Sequence, residues 1–209
     1  MAARVAFAGS CQPGPLADPY LTPNFTCSLG PFNVKSFFFS ESAGGLDPHM
    51  IFVTPIVSTN FVELLLQGNF TASPQQMFTY RFSYFIDAPP IIRGQQDDLD
   101  PMGLVTLQTD MCMVTFPCPG GQGLGTNTAT TMNPMAQTLF GMNLNALGLQ
   151  NTLTLDGSGG PATSAGFDNI TLLTTPEPAA ILLTASGLLG LLAFRSRKKL
   201  RQVLLEIRS

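Results

Sequence analysis

Apolar and polar residues alternate along most of the chain between residues 11 and 173. The clearest stretch is Met77–Ile86, where large apolar side chains occupy every second position and Thr79, Arg81 and Ser83 stand between them. The apolar set is Phe78, Tyr80, Phe82, Tyr84 and Ile86. Because successive side chains of a strand point to opposite faces, this pattern predicts a half-buried antiparallel strand.

Shorter runs of the same kind recur between residues that favour turns. Further strands are predicted at Met50–Val57, Phe61–Ala72, Gly103–Thr109, Met111–Phe116, Gln137–Asn143, Thr152–Asp156 and Phe167–Leu173. Turns are predicted at Gly44-Gly45, Ser73-Pro74, Pro89-Pro90, Pro119-Gly120-Gly121 and Gly157-Ser158-Gly159-Gly160-Pro161. Several short strands at this spacing predict an all-β domain over residues 11–173, an antiparallel β-sandwich of jelly-roll type.

Composition supports this class and adds a charge asymmetry. The 209 residues include 20 Gly, 17 Pro and 16 Phe, a mixture that suits strands and turns better than helices. Residues 1–194 contain four Lys/Arg and twelve Asp/Glu, a net charge of −8, whereas residues 195–209 contain six Lys/Arg and one Glu, a net charge of +5. The net negative charge of residues 1–194 would repel a phosphate backbone, so no nucleic-acid partner is expected.

An uncharged run, Ala179–Phe194, stands directly before the basic end. As a helix it would be about 24 Å long at 1.5 Å per residue. That length nearly spans a hydrocarbon core of roughly 30 Å, and snorkelling arginines or local thinning can make up the difference. A buried core helix is the alternative, but the run is apolar on all sides. We therefore predict one transmembrane helix, with the basic end in the cytoplasm and residues 1–175 outside.

Two flanking elements complete the tail. Pro176, Glu177 and Pro178 precede the apolar run and cannot continue a helix or a central strand, so they predict a stiff, accessible stretch just outside the membrane. The basic stop-transfer cluster within 195–201 consists of Arg195, Arg197, Lys198, Lys199 and Arg201. Residues 202–209 form a short C-terminal extension.

The order of proline motif, apolar helix and basic cluster over residues 174–201 resembles the PEP-CTERM sorting signal of exported proteins in Gram-negative bacteria. The resemblance implies that exosortase, an integral-membrane enzyme, recognises the 176–178 motif and processes the chain. It also implies that the protein is anchored in the inner membrane first and then reaches the cell surface or the extracellular matrix. The extension QVLLEIRS departs from the pattern, since these signals usually end soon after the basic cluster.

The body is similar to an ectodomain type that recurs in PEP-CTERM proteins. The likeness rests on an early cysteine-bearing segment, on Phe37-Phe38-Phe39 and on the stretch Gly166–Ile170. It implies an extracellular β-domain of unassigned activity.

The first ten residues carry an Ala6-Phe7-Ala8 triplet that is typical of a signal-peptidase site. The apolar segment that should precede such a site is missing. We interpret residues 1–10 as the remnant of a signal peptide whose start lies further upstream. A fragment, or a chain inserted only through its tail, is the alternative.

The cysteines form two local pairs, Cys11 with Cys27 and Cys112 with Cys118. Such pairs favour disulfides in an oxidising compartment. Free buried thiols and a metal site are the alternatives, although neither spacing is a CxxC-like zinc clip.

A search for chemistry finds no catalytic, cofactor or metal site. His49 stands alone after Asp47-Pro48, and no GxSxG elbow occurs. The acidic group Asp97, Asp98 and Asp100 suggests either a calcium site or a solvated turn, and we favour the turn because the spacing matches no calcium loop.

These observations predict a non-enzymatic, exported protein of the cell surface or biofilm matrix. Its expected partners are exosortase, the membrane and, as a candidate, exopolysaccharide. The alternative is a secreted carbohydrate-binding or carbohydrate-active β-sandwich module. The absence of Trp counts modestly against sugar stacking.

Overall fold

A computed structural model describes residues 9–42, 44–113 and 123–174 of the chain. All of them belong to one unit, Met1–Thr174. The predicted signal remnant falls largely, and the sorting tail almost entirely, outside the described residues. No helix among the described residues is long and apolar enough to cross a membrane.

The described residues form one ten-stranded, antiparallel sheet. Its strands are β1 (Gly14–Pro15), β2 (Thr26–Leu29), β3 (Phe32–Glu41), β4 (Phe52–Val57), β5 (Phe61–Ala72), β6 (Met77–Met102), β7 (Leu104–Cys112), β8 (Gly123–Thr130), β9 (Met135–Asp156) and β10 (Ala162–Leu173). Three short helical turns occupy Leu16–Tyr20, Pro48–Met50 and Gly157–Gly159. The prediction of an antiparallel all-β domain is confirmed.

The long strands β6 and β9 organise the sheet. Their neighbours follow the order β1-β4-β5-β10-β6-β9-β7-β8, and β3 continues the β10 side of β6 by pairing with the first half of that strand. Although β9 and β7 separate β8 from β6 in this order, Asn127 of β8 donates a hydrogen bond to Asp97 of β6. The sheet therefore curls into a half-barrel, an arrangement consistent with a sandwich.

The inner face of the curled sheet holds the core. Tyr80, Phe82, Tyr84 and Ile86 are all at most 3% exposed, so these four positions of the predicted apolar face are confirmed, whereas Phe78 is half-buried and Ser83, predicted on the opposite face, is also buried. Phe82 stands in the middle of an aromatic group, with ring centroids 5.1 to 6.2 Å from its three neighbours. These neighbours are Phe39, Phe70 and Phe167.

Several predicted boundaries were wrong because bulges replace turns. Pro89-Pro90 lies inside β6, where the pairing with β9 shifts from Asp87↔Ala146 to Ile92↔Leu144. A bulge tolerates proline because it interrupts the ladder of hydrogen bonds that proline cannot join. Other pairs of predicted strands are also continuous. Gln137–Asn143 and Thr152–Asp156 are parts of the single strand β9, and β7 joins most of Gly103–Thr109 to the first two residues of Met111–Phe116.

The cysteine prediction is confirmed where the structure describes it. Cys11 and Cys27 form a disulfide that ties the first described segment to β2. Cys112 is also disulfide-bonded, and its predicted partner Cys118 lies outside the described residues. By the loop-entropy model, a bridge across a separation of 16 residues stabilises the fold by about 3 kcal/mol.

Candidate functional site

Asp97, Asp98 and Asp100 all lie within strand β6, so the interpretation as a solvated turn was wrong. Asp97 is fully buried on the inner face, whereas Asp100 is exposed and Asp98 is half-buried on the outer face. The alternation of a strand separates neighbours in sequence in this way. The described residues also contain no group of three or more His, Cys, Asp or Glu side chains that could hold a metal ion.

Asp97 is the centre of a buried polar network. Its carboxylate accepts hydrogen bonds from the amide nitrogens of Asn127 at 2.6 Å and Asn169 at 2.7 Å. A third amide, that of Gln95, donates to it at 3.1 Å. Burial raises the pKa of Asp97, and these hydrogen bonds oppose the rise by stabilising the carboxylate.

The network extends across the interior to β7 and β9. Asn151 donates to the Asn169 side-chain oxygen at 2.6 Å, and the Tyr84 hydroxyl donates to the same oxygen at 3.0 Å. Thr109 in turn donates to the Asn151 oxygen at 2.8 Å. Because these groups are buried and satisfied by one another, the network holds the curled sheet together and offers nothing to a ligand.

The outer face of the same strands carries the accessible polar groups. Asp168 of β10 is paired in register with Asp98 of β6 on one side and with Leu65 of β5 on the other. Two positions along β10, Ile170 is paired with Glu63. Three adjacent strands therefore bring together carboxylates that are distant in sequence.

A bulge in β10 opens a cleft on this face. The pairing of β10 with β5 shifts between Ser164 and Gly166. A Cβ on Gly166 would lie 2.4 Å from the carbonyl oxygen of Leu66, so only glycine fits at this bulge. The resulting outer-face cleft has a volume of about 250 Å³. Its wall includes Leu65, Gln67, Asp98, Asp100, Ala165 and Asp168.

The electrostatics of the outer-face cleft are dominated by like charges. Burial, followed by the carboxylates of Glu63, Asp98 and Asp100, raises the pKa of Asp168 to about 6. The Oδ1 atom of Asp168 is buried and has no hydrogen-bond partner among the residues that the structure describes. None of the residues that line this cleft is Lys or Arg.

We expect the free energy of unfolding to fall as the pH rises from about 4 to about 6. The pKa of Asp168 is about 6 in the folded chain against a reference value of 3.8. Between these values the folded state binds more protons than the unfolded state, so a rise in pH favours unfolding. Urea unfolding at a series of pH values measures the slope. Asp168→Asn should flatten it, and an identical slope in the wild type and the variant would contradict the assignment.

An aromatic ring lies beside the cleft. Phe52 of β4 is paired in register with Gln67 of β5, and its side chain is 45% exposed. The outer face thus offers an apolar ring, an amide and carboxylates on a rigid sheet. The sequence pattern could not reveal this set, because the strand register that unites Phe52, Gln67, Asp98 and Asp168 is a property of the fold.

His49 contributes nothing to this arrangement. It lies in the turn Pro48–Met50, and its backbone N–H donates to the Asp47 side chain at 2.8 Å. The contact caps a turn, which is a structural role.

Comparison with known proteins gives weak structural similarities only. No family model and no curated protein matches the chain. Among solved structures, the chain is similar to TmCBM61 in complex with β-1,4-galactotriose, with 11% identity and a TM-score of 0.37 over 64% of this chain and 88% of that one. The chain is also similar to a family 11 carbohydrate-binding module from Clostridium thermocellum, in complex with a β-1,3-1,4-mixed-linked tetrasaccharide. That match has 8% identity and a TM-score of 0.28, and it covers 66% of this chain and 91% of the module.

The enzymatically active domain of tailspike protein 4 from bacteriophage CBA120 gives 11% identity and a TM-score of 0.29. That match covers 66% of this chain and only 18% of the tailspike chain. TM-scores below 0.5 do not establish a common fold, so these similarities assign this chain neither a function nor a ligand.

Proposed function

We propose that residues 11–173 are a non-enzymatic glycan-binding domain, and that the outer-face cleft is its binding site. The observation that carries this proposal is the convergence of Gln67, Asp98 and Asp168 on a cleft that the Gly166 bulge keeps open. A concave site with a few convergent polar groups is the usual form of a ligand site.

The chemistry of the cleft suits a sugar. Carboxylates accept hydrogen bonds from hydroxyl groups, and the Gln67 amide both donates and accepts. The exposed ring of Phe52 offers an apolar surface to the C–H face of a sugar ring. Since the cleft carries several carboxylates and no lining cation, an acidic polysaccharide would be repelled.

Binding fits the cleft better than hydrolysis does. The Asp98 and Asp168 carboxyls are neighbours across two strands, and one of them has a raised pKa, as glycoside hydrolysis requires. The Oδ1 atom of Asp168 is however buried, so only its Oδ2 atom is left to contact a ligand, and we assign that contact to binding. Incubation with the bound polysaccharide should release no reducing ends, and their release would favour the carbohydrate-active alternative.

Variants in the cleft test the proposal. Asp98→Asn retains the shape of the side chain and removes its charge, and Gln67→Ala removes the amide. Each variant should weaken retention on polysaccharide purified from the host's matrix by about tenfold, because each removes one to two hydrogen bonds to the ligand. Gln108→Ala is the matched control, because this exposed amide on β7 lies outside the outer-face cleft and donates hydrogen bonds to the Asp110 side chain. Equal retention of all variants would place binding elsewhere.

We further propose that the tail delivers this domain to the cell surface. Support comes from the resemblance of residues 174–201 to a PEP-CTERM signal and from the disulfide between Cys11 and Cys27, which suits an oxidising compartment. In this account exosortase recognises Pro176, Glu177 and Pro178 while Ala179–Phe194 holds the chain in the inner membrane.

Replacing Pro176 and Glu177 together with alanine should leave the chain uncleaved in a host that contains exosortase. The physical reason is the loss of the stiff, extended segment that the enzyme would recognise. Size comparison of the wild type and the double variant by electrophoresis measures processing. Unchanged processing would refute the role of the motif.

A further inference from the structure

A second cleft lies beside the hairpin of β2 and β3, which pairs with the first half of β6. Residues 21–26 form one wall and residues 35–37 the other. Its volume is about 530 Å³, which falls in the range of small-molecule sites. It shares no residue with the outer-face cleft. We call it the hairpin cleft.

Two half-buried aromatic rings line the hairpin cleft. Phe25 and Phe37 have ring centroids 6.0 Å apart, and each lies 5.0 Å from the buried ring of Tyr20. Phe37 also stacks on Tyr84 at 5.4 Å with an interplanar angle of 20°. Contacts behind the rings therefore fix their orientation, so a ligand that packs against them need not order them first.

Unusual backbone geometry shapes the rim. Asn24 and Ser36 adopt left-handed conformations, with φ of +61° and +58°. Only one other non-glycine among the described residues, Gln75, has a positive φ. Ser36 stands at the point where the pairing of β3 with β6 shifts between Lys35 and Phe38. Such conformations cost free energy and occur often at ligand sites.

The polar groups of the rim are free to bind. The side chains of Asn24, Thr26 and Ser36 make no hydrogen bond with any described residue. The one cation at the cleft, Lys35, forms an ion pair with Asp87 and lies 5.2 Å from the ring centroid of Phe85. The cleft is therefore polar but carries no unpaired charge.

We propose that the hairpin cleft is a second binding site, for one uncharged sugar ring of a glycan. Phe25 and Phe37 provide an apolar surface for the C–H face of the ring. Asn24, Thr26 and Ser36 provide donors and acceptors for its hydroxyl groups. The proposal shares the ligand class of the proposed function but not its site, and two sites on one domain would raise the avidity for a polymer.

Ligand-observed NMR saturation transfer on the full chain in detergent tests the site, with the neutral disaccharides cellobiose, lactose and maltose as probes. Asn24→Gly removes the amide while retaining the left-handed backbone that glycine adopts freely. Phe25→Leu removes the ring and keeps an apolar side chain. Gln75→Gly is the matched control, since it makes the same change at a left-handed position of the β5–β6 turn, outside both clefts. Circular dichroism and thermal unfolding establish that each variant is folded.

At least one disaccharide should give a saturable signal with the wild type and with Gln75→Gly. Asn24→Gly and Phe25→Leu should each weaken that binding by about tenfold or more. Asn24→Gly and Phe25→Leu should have the same effect in a chain that also carries Gln67→Ala and Asp98→Asn, where the outer-face cleft no longer contributes. The proposal is overturned if no probe binds saturably, if Asn24→Gly and Phe25→Leu bind as the wild type does, or if the chain with Gln67→Ala and Asp98→Asn gives no saturable signal. The last result would leave the outer-face cleft as the only site.

Discussion

Replacing Asp97 with alanine is expected to lower the free energy of unfolding by about 4 kcal/mol. The carboxylate is fully buried and accepts hydrogen bonds from the amides of Gln95, Asn127 and Asn169. Its removal takes this acceptor from all three buried amides, which keep only backbone carbonyl acceptors at 3.1 to 3.5 Å, so one N–H of each amide incurs a desolvation penalty. Because the network joins β8 to β6, the loss also weakens the closure of the curled sheet.

Asp98→Ala is the matched control, one residue further along the same strand. Asp98 lies half-buried on the outer face among other carboxylates, so its removal should change stability by less than about 1 kcal/mol. Denaturant unfolding followed by near-ultraviolet circular dichroism measures the stability of both variants. The signal comes from ordered aromatic side chains, and the three tyrosines, Tyr20, Tyr80 and Tyr84, are all buried in the core, whereas the chain has no Trp. Equal losses for Asp97→Ala and Asp98→Ala would contradict the assignment of faces.

Phe82→Ala is expected to destabilise the domain by about 4 kcal/mol. The ring packs against Phe39, Phe70 and Phe167, so it joins β6 to β3, β5 and β10. Truncation removes the buried apolar surface of the ring and leaves a cavity that rigid strands cannot fill.

Phe38→Ala provides the comparison at an exposed position. Phe38 of β3 is paired with Ser83, next to Phe82 along β6, but its side chain is 59% exposed. Its truncation should cost less than about 1 kcal/mol in the same unfolding measurement. Similar losses of stability in both variants would contradict the assignment of Phe82 to the inner face and Phe38 to the outer face.

The sequence pattern predicted the strands whose two faces differ most. The bounds of Phe61–Ala72 were predicted as the structure has them, and Tyr80, Phe82 and Tyr84 were placed correctly on the buried face. Alternation is a local property, so it is visible without the fold. The predicted turn at Pro89-Pro90 was wrong because proline occurs in bulges as well as in turns, and only the pairing with the partner strand distinguishes the two.

The candidate sites were far less accessible to prediction. Asp98 and Asp168 are 70 positions apart in sequence and meet only through the register of β6 with β10. Asp97 and Asp98 are adjacent in sequence, but Asp97 lies on the inner face of the sheet and Asp98 on the outer face. The outer-face cleft further depends on Gly166, whose role follows from its close approach to the backbone of β5. Local patterns contain none of this information.

The proposed sorting and the proposed glycan binding depend on separate parts of the chain. Residues 174–201 supply a predicted route to the cell surface, and residues 11–173 supply the surface that would act there. Disrupting the 176–178 motif should therefore change where the domain is found and leave its binding of glycans intact.

The central claim, that this domain binds glycans through the outer-face cleft, is tested most directly by equilibrium binding of the full chain to an array of neutral and amino-sugar glycans. The wild type should bind at least one glycan saturably. When Asn24→Gly disables the hairpin cleft, the further substitutions Gln67→Ala and Asp98→Asn should weaken that binding about 100-fold. The absence of saturable binding to every glycan, or equal binding with and without Gln67→Ala and Asp98→Asn, would contradict the claim.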